Sequence, residues 1–130
     1  MKNGLMALLV VLSLFADFAA AQEPDMFYKG VQAYRERDYA GAATWFEKAA
    51  EQGDGDAQFL LGRMHYDGNS LTVDLVTAYQ WFAIAAETGV GAAPRYRDGV
   101  ARTMKEEDVA EGQRRAAAWR LRHPLKASSE

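Results

Sequence analysis

Side chains with the chemistry of a catalytic or metal site are few in this chain and poorly spaced. His65 and His123 are the only histidines among 130 residues, and there is no cysteine. No histidine pair stands at i, i+4, no HExxH run occurs, and no glycine-rich phosphate loop is present. His65 falls one helical turn from Leu61, at the edge of an apolar stripe, which suits a core-edge residue better than a base or ligand. His123 closes a helical run, where the helix dipole mildly favours a cation. Ser70 has no basic neighbour in sequence. Asp54 and Asp56 lack the downstream glutamate of a calcium loop. The set Asp67, Asn69 and Asp74 is interrupted by Leu71, where an oxygen ligand would be needed. The residues therefore predict a non-catalytic chain with no cofactor and no metal, and the chemistry left open to it is recognition.

The elements that would position recognition groups show themselves as a repeat. Shifted by 36 residues, 38–57 lies over 74–93 with identities at Asp38/Asp74, Ala42/Ala78, Trp45/Trp81, Phe46/Phe82, Ala49/Ala85, Ala50/Ala86, Glu51/Glu87 and Gly53/Gly89, among others. Self-similarity at this period marks an array of supersecondary units that bury their apolar faces by stacking. Within each unit the apolar residues recur at i, i+3, i+4 and i+7, the period of an amphipathic helix. Phe27, Gly30, Val31 and Tyr34 make one stripe, and Ala42, Trp45, Phe46 and Ala49 a second. Ala57, Leu60, Leu61 and Met64 form a third, and Ala78, Trp81, Phe82 and Ala85 a fourth. Both tryptophans are expected in the core. Gly30 and Gly62 lie on apolar stripes, where a missing side chain lets a neighbouring helix come close.

Capping chemistry sets the expected boundaries. Pro24 and Asp25 open the first helix, and Asp38 and Asp74 cap the second and fourth. Asp54 and Asp56 serve as turn and capping residues, and Gly53 and Gly89 are left-handed stops. A short helix is predicted over 94–101, weakened by Gly99. Thr103 with Glu106 has the spacing of a capping box. A long helix is then predicted over 108–122, with Val109, Gln113, Ala116, Ala117 and Arg120 on one side and Trp119 in the register of Trp81. The first helices of the two units align at a shift of 32 (Phe27/Phe59, Gly30/Gly62, Tyr34/Tyr66), so the first hairpin has the shorter loop.

Composition narrows the context. The net charge is −3 with both signs interspersed, so no basic field points to nucleic acid. Lys2, an apolar run over 5–16 and Ala19-Ala20-Ala21 before Gln22 have the layout of a cleaved secretory signal peptide. The run is too short for a comfortable membrane span, and stable membrane insertion is not expected after cleavage. The expected organisation is a signal peptide over 1–21, a repeat domain over 22–123 and a flexible tail over 124–130. Export follows, to a periplasm or beyond the cell, and without cysteines the exported fold must rest on packing.

The run Leu61-Gly62-Arg63-Met64-His65, Asp67-Gly68-Asn69-Ser70-Leu71, Asp74, Ala78, Trp81 and Ala85-Ala86-Glu87-Thr88-Gly89 resembles a Sel-one-like repeat. The shorter first hairpin is similar to the related tetratricopeptide repeats through Gly30, Tyr39, Ala42, Phe46 and Ala49. The resemblance extends over 27–119, with departures at His65, Ser70, Ile84 and Asp98. It implies an all-α, short right-handed superhelix of about three helix pairs. It further implies a protein-binding adaptor of a bacterial envelope, with a protein or peptide held on the concave face by the first helix of each pair. By position in that pattern the partner-binding residues are Tyr34, Arg35, Arg63, Tyr66 and Arg102, residue types favoured at interface hot spots. The alternative is a structural accessory subunit of an envelope complex, docked by its flank or terminal helix.

Overall fold

A computed structural model describes residues 25–68 and 72–125. The signal-peptide reading, Pro24, the loop centre 69–71 and the tail from 126 onward fall outside them. Among the described residues the secondary structure is six helices: α1 (Met26–Arg35), α2 (Tyr39–Glu51), α3 (Gly55–Asp67), α4 (Leu75–Thr88), α5 (Ala93–Ala101) and α6 (Glu106–Arg122). The chain is an all-α repeat solenoid.

Aspartates start the first four helices. Each accepts a bond from an orphan amide of the first turn, a donor with no partner inside its own helix. Asp25 caps α1 through the Phe27 amide (3.4 Å), and Asp38 caps α2 through Gly41 (2.9 Å). Asp54 caps α3 through Ala57 (3.0 Å), and Asp74 caps α4 through Thr77 (3.0 Å). The repeat of aspartate at these positions is thus a repeat of helix starts. Gly53 and Gly89 follow α2 and α4 with φ of +92° and +107°, and Gly68 ends α3 at +63°. All three reverse the chain in the left-handed region where side chains are disfavoured.

Packing of the first two pairs depends on a glycine opposite a phenylalanine. A Cβ on Gly30 would lie 2.6 Å from the Phe46 ring, and one on Gly62 would lie 2.6 Å from the Phe82 ring. The ring of the second helix occupies the space that the first helix leaves open, and Phe46 and Phe82 are fully buried. Alanines complete these surfaces: Ala42, Ala49, Ala50, Ala57, Ala78 and Ala85 are buried and allow close helix approach.

The third pair departs from this plan for the same physical reason. Asp98 stands where Gly30 and Gly62 stand, and Arg120 where Phe46 and Phe82 stand, so no ring can nest between α5 and α6. Both helices take α4 as their main neighbour instead and hardly touch one another. Gly112 of α6 receives the Tyr79 ring of α4, a Cβ there lying 2.5 Å away. Arg120 reaches Glu87 (2.7 Å) and the carbonyl of Ile84 (3.2 Å), fastening α6 to α4 from the other side. α5 itself is a regular helix, and Asp98 pairs outward with Arg97 (2.8 Å).

Three expectations are corrected. Trp81 is buried and meets Trp119 edge to face at 6.0 Å, but Trp45 is only partly buried, with the ammonium groups of Lys29 and Lys48 each 4.7 Å from its ring. A tryptophan needs a covering helix, and α6 supplies one for Trp81, whereas Trp45 is covered by lysine stems and cation–π contact. Thr103 does not form a capping box, because its hydroxyl donates to the carbonyl of Val100 (2.8 Å) at the end of α5. Lys105 precedes α6 without a side-chain cap, and Glu106, Glu107 and Asp108 supply negative charge at its start. The buried stripe of α6 is Gly112, Ala116 and Trp119, with Val109 partly buried, while Gln113 and Ala117 are exposed. The packed face is rotated from the expected one because Tyr79 selects Gly112.

Candidate partner-binding face

The face carried by α1, α3 and α5 holds two neighbouring clefts. The first has a volume of about 280 Å³ and lies between α1 and α3. Val31, Tyr34 and Arg35 come from α1, and Leu60, Arg63, Met64 and Asp67 from α3. Phe46 of α2 forms the floor, held there by the space at Gly30. The second cleft, about 180 Å³, is lined by Tyr66 at the end of α3 and by Arg95, Tyr96, Gly99 and Val100 of α5. Tyr96 is fixed by edge-to-face packing on Phe59 at 5.0 Å and by Phe82 at 5.5 Å. A short helix with a regular backbone is thus enough to present Arg95 beside Tyr66.

Arg63 lines the first cleft and reaches toward the second. Its guanidinium pairs with Asp67 at 3.6 Å and lies 5.9 Å from the centre of the ring of Tyr96, a residue that lines the neighbouring cleft. The ion pair is long and about half exposed, so it holds Arg63 only loosely. Tyr34 leans edge-on against Tyr39 at 5.0 Å, yet remains 40% exposed, and Tyr66 is 43% exposed. Tyr34 therefore seals part of the groove and also presents ring surface to it.

Of the five residues expected to meet a partner, Tyr34, Arg35 and Arg63 line the first cleft and Tyr66 the second. Arg102 lines neither and caps the C-terminus of α5 as an exposed residue. Arg95 and Tyr96 were missed because the repeat identity fades after Ala93. At a shift of 36 from α3, however, Tyr96 takes the register of Leu60, an apolar wall of the first cleft.

Both histidines are occupied by packing. Burial holds the His65 imidazole below its ordinary pKa, with Asp74 and Glu47 opposing in part. Its Nδ1 is enclosed with no hydrogen-bond partner among the described residues. For Asp74 burial pushes upward, but hydrogen bonds from Thr77, with His65 and Arg115 nearby, bring the carboxyl below its ordinary value. His123 stacks on Trp119 at 4.1 Å, its Nε2 lies 2.7 Å from Glu51, and Trp119 Nε1 donates to the same carboxylate at 3.2 Å. A hollow of about 430 Å³ borders this cluster, between the ends of α2, α4 and α6. Glu51, Trp119 and His123 engage one another at its edge and hold the end of α6 against the end of α2. Among the described residues no three His, Asp or Glu side chains gather to hold a metal ion.

The Sel1 repeat family model matches residues 16–54 and 55–90, more than half of the chain. The chain belongs to the Sel1 repeat family. The boundary between the two Sel1 repeats coincides with Asp54, the cap of α3, and the second ends just beyond α4. The pair α5–α6, which lacks the glycine–phenylalanine nest, lies outside the matched residues. A solved structure with the same architecture is a protective antigen present in uropathogenic Escherichia coli strains displaying an SLR fold. It is 26% identical, with a TM-score of 0.68 over 86% of this chain. The chain spans 27% of the length of that protein. No curated protein matches the chain. Sel1 repeats generally mediate protein–protein interaction, and their fold is typically a non-catalytic scaffold. Among the described residues no helix is long and apolar enough to cross a membrane.

Proposed function

We propose that this chain is a non-catalytic interaction scaffold of the bacterial cell envelope, binding a protein or peptide on the concave face formed by α1, α3 and α5. The observation that carries the reading is Arg63, which lines one cleft and lies over Tyr96 of the next, the two being rimmed by exposed tyrosines and arginines. Residues of these types, half exposed around an apolar floor, have the make-up of an interface centre. The signal-peptide layout of 1–21 supports export, to the periplasm or beyond the cell. No catalytic set is assigned to it, and neither a nucleic acid nor a membrane is its partner. Capture from an envelope extract tests the reading. Partner recovery should be lost with Arg63→Glu and with Tyr66→Ala, both exposed substitutions that leave the melting temperature in place. Undiminished recovery by both variants would move the binding surface elsewhere.

A second reading, an accessory subunit docked by its terminal helix, rests on the outer side of α6. Leu121 is 86% exposed, in line with exposed Ala117 and Ala118. If that face holds the partner, Leu121→Glu abolishes capture while Arg63→Glu does not.

A further inference from the structure

We infer that the partner segment recognised by the two clefts is an extended acidic peptide carrying one large apolar side chain. The inference rests on the concave-face reading and names the chemistry of what that face binds. The chain as a whole has a net charge of −3, yet the residues lining the two clefts include Arg35, Arg63 and Arg95 against the single carboxylate of Asp67. Elsewhere some acids are engaged, and others, such as Glu36, Glu47, Asp56, Glu106 and Glu107, are exposed to solvent. Asp25, Asp38, Asp54 and Asp74 cap helices, while Glu87, Asp98 and Glu111 are paired with arginines. The cationic character of the face is therefore local, set against a molecule that would repel an acidic chain. A segment with acids on either side of an anchor would find a favourable field here.

The apolar part of the ligand follows from the first cleft. Val31, Phe46, Leu60 and Met64 line it, and about 280 Å³ is at the lower end of ligand-binding cavities. That space suits one side chain with its immediate backbone rather than a folded element. Arg35 and Arg63 lie at this cleft and Arg95 at the next, so carboxylates flanking the anchor on both sides meet guanidinium groups. Asp67 holds Arg63 at 3.6 Å in a partly exposed pair, and an incoming carboxylate replaces a weak partner with a better-placed one. Tyr66 and Tyr96 offer ring faces to the backbone that follows.

The test is selection of peptides from a random phage-displayed library on the purified full chain, followed by anisotropy with the winning peptide made synthetically. The winners should combine Asp or Glu with a single Leu, Met or aromatic residue. Changing their acids to amides, or using Arg63→Glu protein, should weaken binding about tenfold. Raising the ionic strength should weaken it as well. Reselection on the Arg35→Glu, Arg63→Glu, Arg95→Glu triple variant should return basic peptides. Winners that are neutral or basic on the native protein, but still lose binding with Tyr66→Ala, would overturn the acidic ligand and leave the concave-face scaffold standing. Winners indifferent to both Arg63→Glu and Tyr66→Ala, or no winners at all, would overturn both.

Discussion

At the scale of single residues, His65 carries a pH dependence that its neighbours make readable. Burial lowers its pKa, so in the folded chain the ring resists the proton that the unfolded chain accepts. The contribution to stability is complete above the unfolded value of about 6.5 and is lost as pH falls from there through the lower folded value. The carboxylates with shifted titration, Asp74, Asp98 and Glu111, are lowered instead, and their contributions vanish only in more acidic solution. Urea midpoints measured at neutral and at mildly acidic pH should therefore fall more in the native chain than in His65→Gln. Equal falls would remove His65 as the source. The other informative residue is Glu51, which accepts from Trp119 and faces His123 while half exposed. Glu51→Ala should cost about 1 kcal/mol in chemical denaturation, the usual net worth of such bonds near solvent.

At the scale of elements, the glycines of α1 and α3 set two effects against each other. Alanine in place of a mid-helix glycine gains about 1 kcal/mol of intrinsic helix stability. The same Cβ would stand 2.6 Å from a fully buried phenylalanine ring, and overpacking of this kind costs about 1–3 kcal/mol. The ring is locked among α1, α2 and the buried alanines, so the clash wins. Gly30→Ala and Gly62→Ala should both lower the denaturant midpoint, and the double replacement Gly62→Ala with Phe82→Leu should recover part of the loss. Gly99, with nothing within 4 Å of its added Cβ, is the control: Gly99→Ala should raise the midpoint. The contrast between Gly62 and Gly99 was half legible beforehand. An apolar stripe pointed to close approach at Gly62, whereas the role of Gly112 depended on Tyr79, a residue 33 positions away whose face no local period reveals.

At the scale of the whole molecule, stability runs along the array through neighbouring contacts rather than around one centre. One core cluster joins α2, α3 and α4 to Trp119, and the other gathers Ala78, Tyr79 and Phe82 with Val100 of α5. α6 is tied to the remainder through Trp119, Gly112 and Arg120. Trp119→Ala should cost about 3–5 kcal/mol, because it removes a buried aromatic and uncovers Trp81. Hydrogen exchange should show the loss first in α6, with the amides of α1 and α2 retaining more protection. Uniform loss in all helices would show instead that the array unfolds as one unit.

What the sequence determined alone is whatever repeats in it: the helical class, the aspartate starts, the glycine stops and the pairing of α1 with α2 and α3 with α4. These follow from local chemistry, since a cap needs an oxygen at a fixed offset and a nest needs a glycine at a fixed turn. Four of the five residues expected at the partner face fall in the clefts because they belong to those same repeating helices. Only the tertiary structure decided the terminal unit. With Asp98 and Arg120 in the places of glycine and phenylalanine, the helical period still predicts two helices but no longer their contact, and α4 becomes the surface on which both settle. That choice buries Trp81 while leaving Trp45 under lysines, turns α6 to present Gly112, and sets Arg95 and Tyr96 beside Tyr66. Each depends on which long-range neighbour fills a space, a quantity that periodicity does not encode.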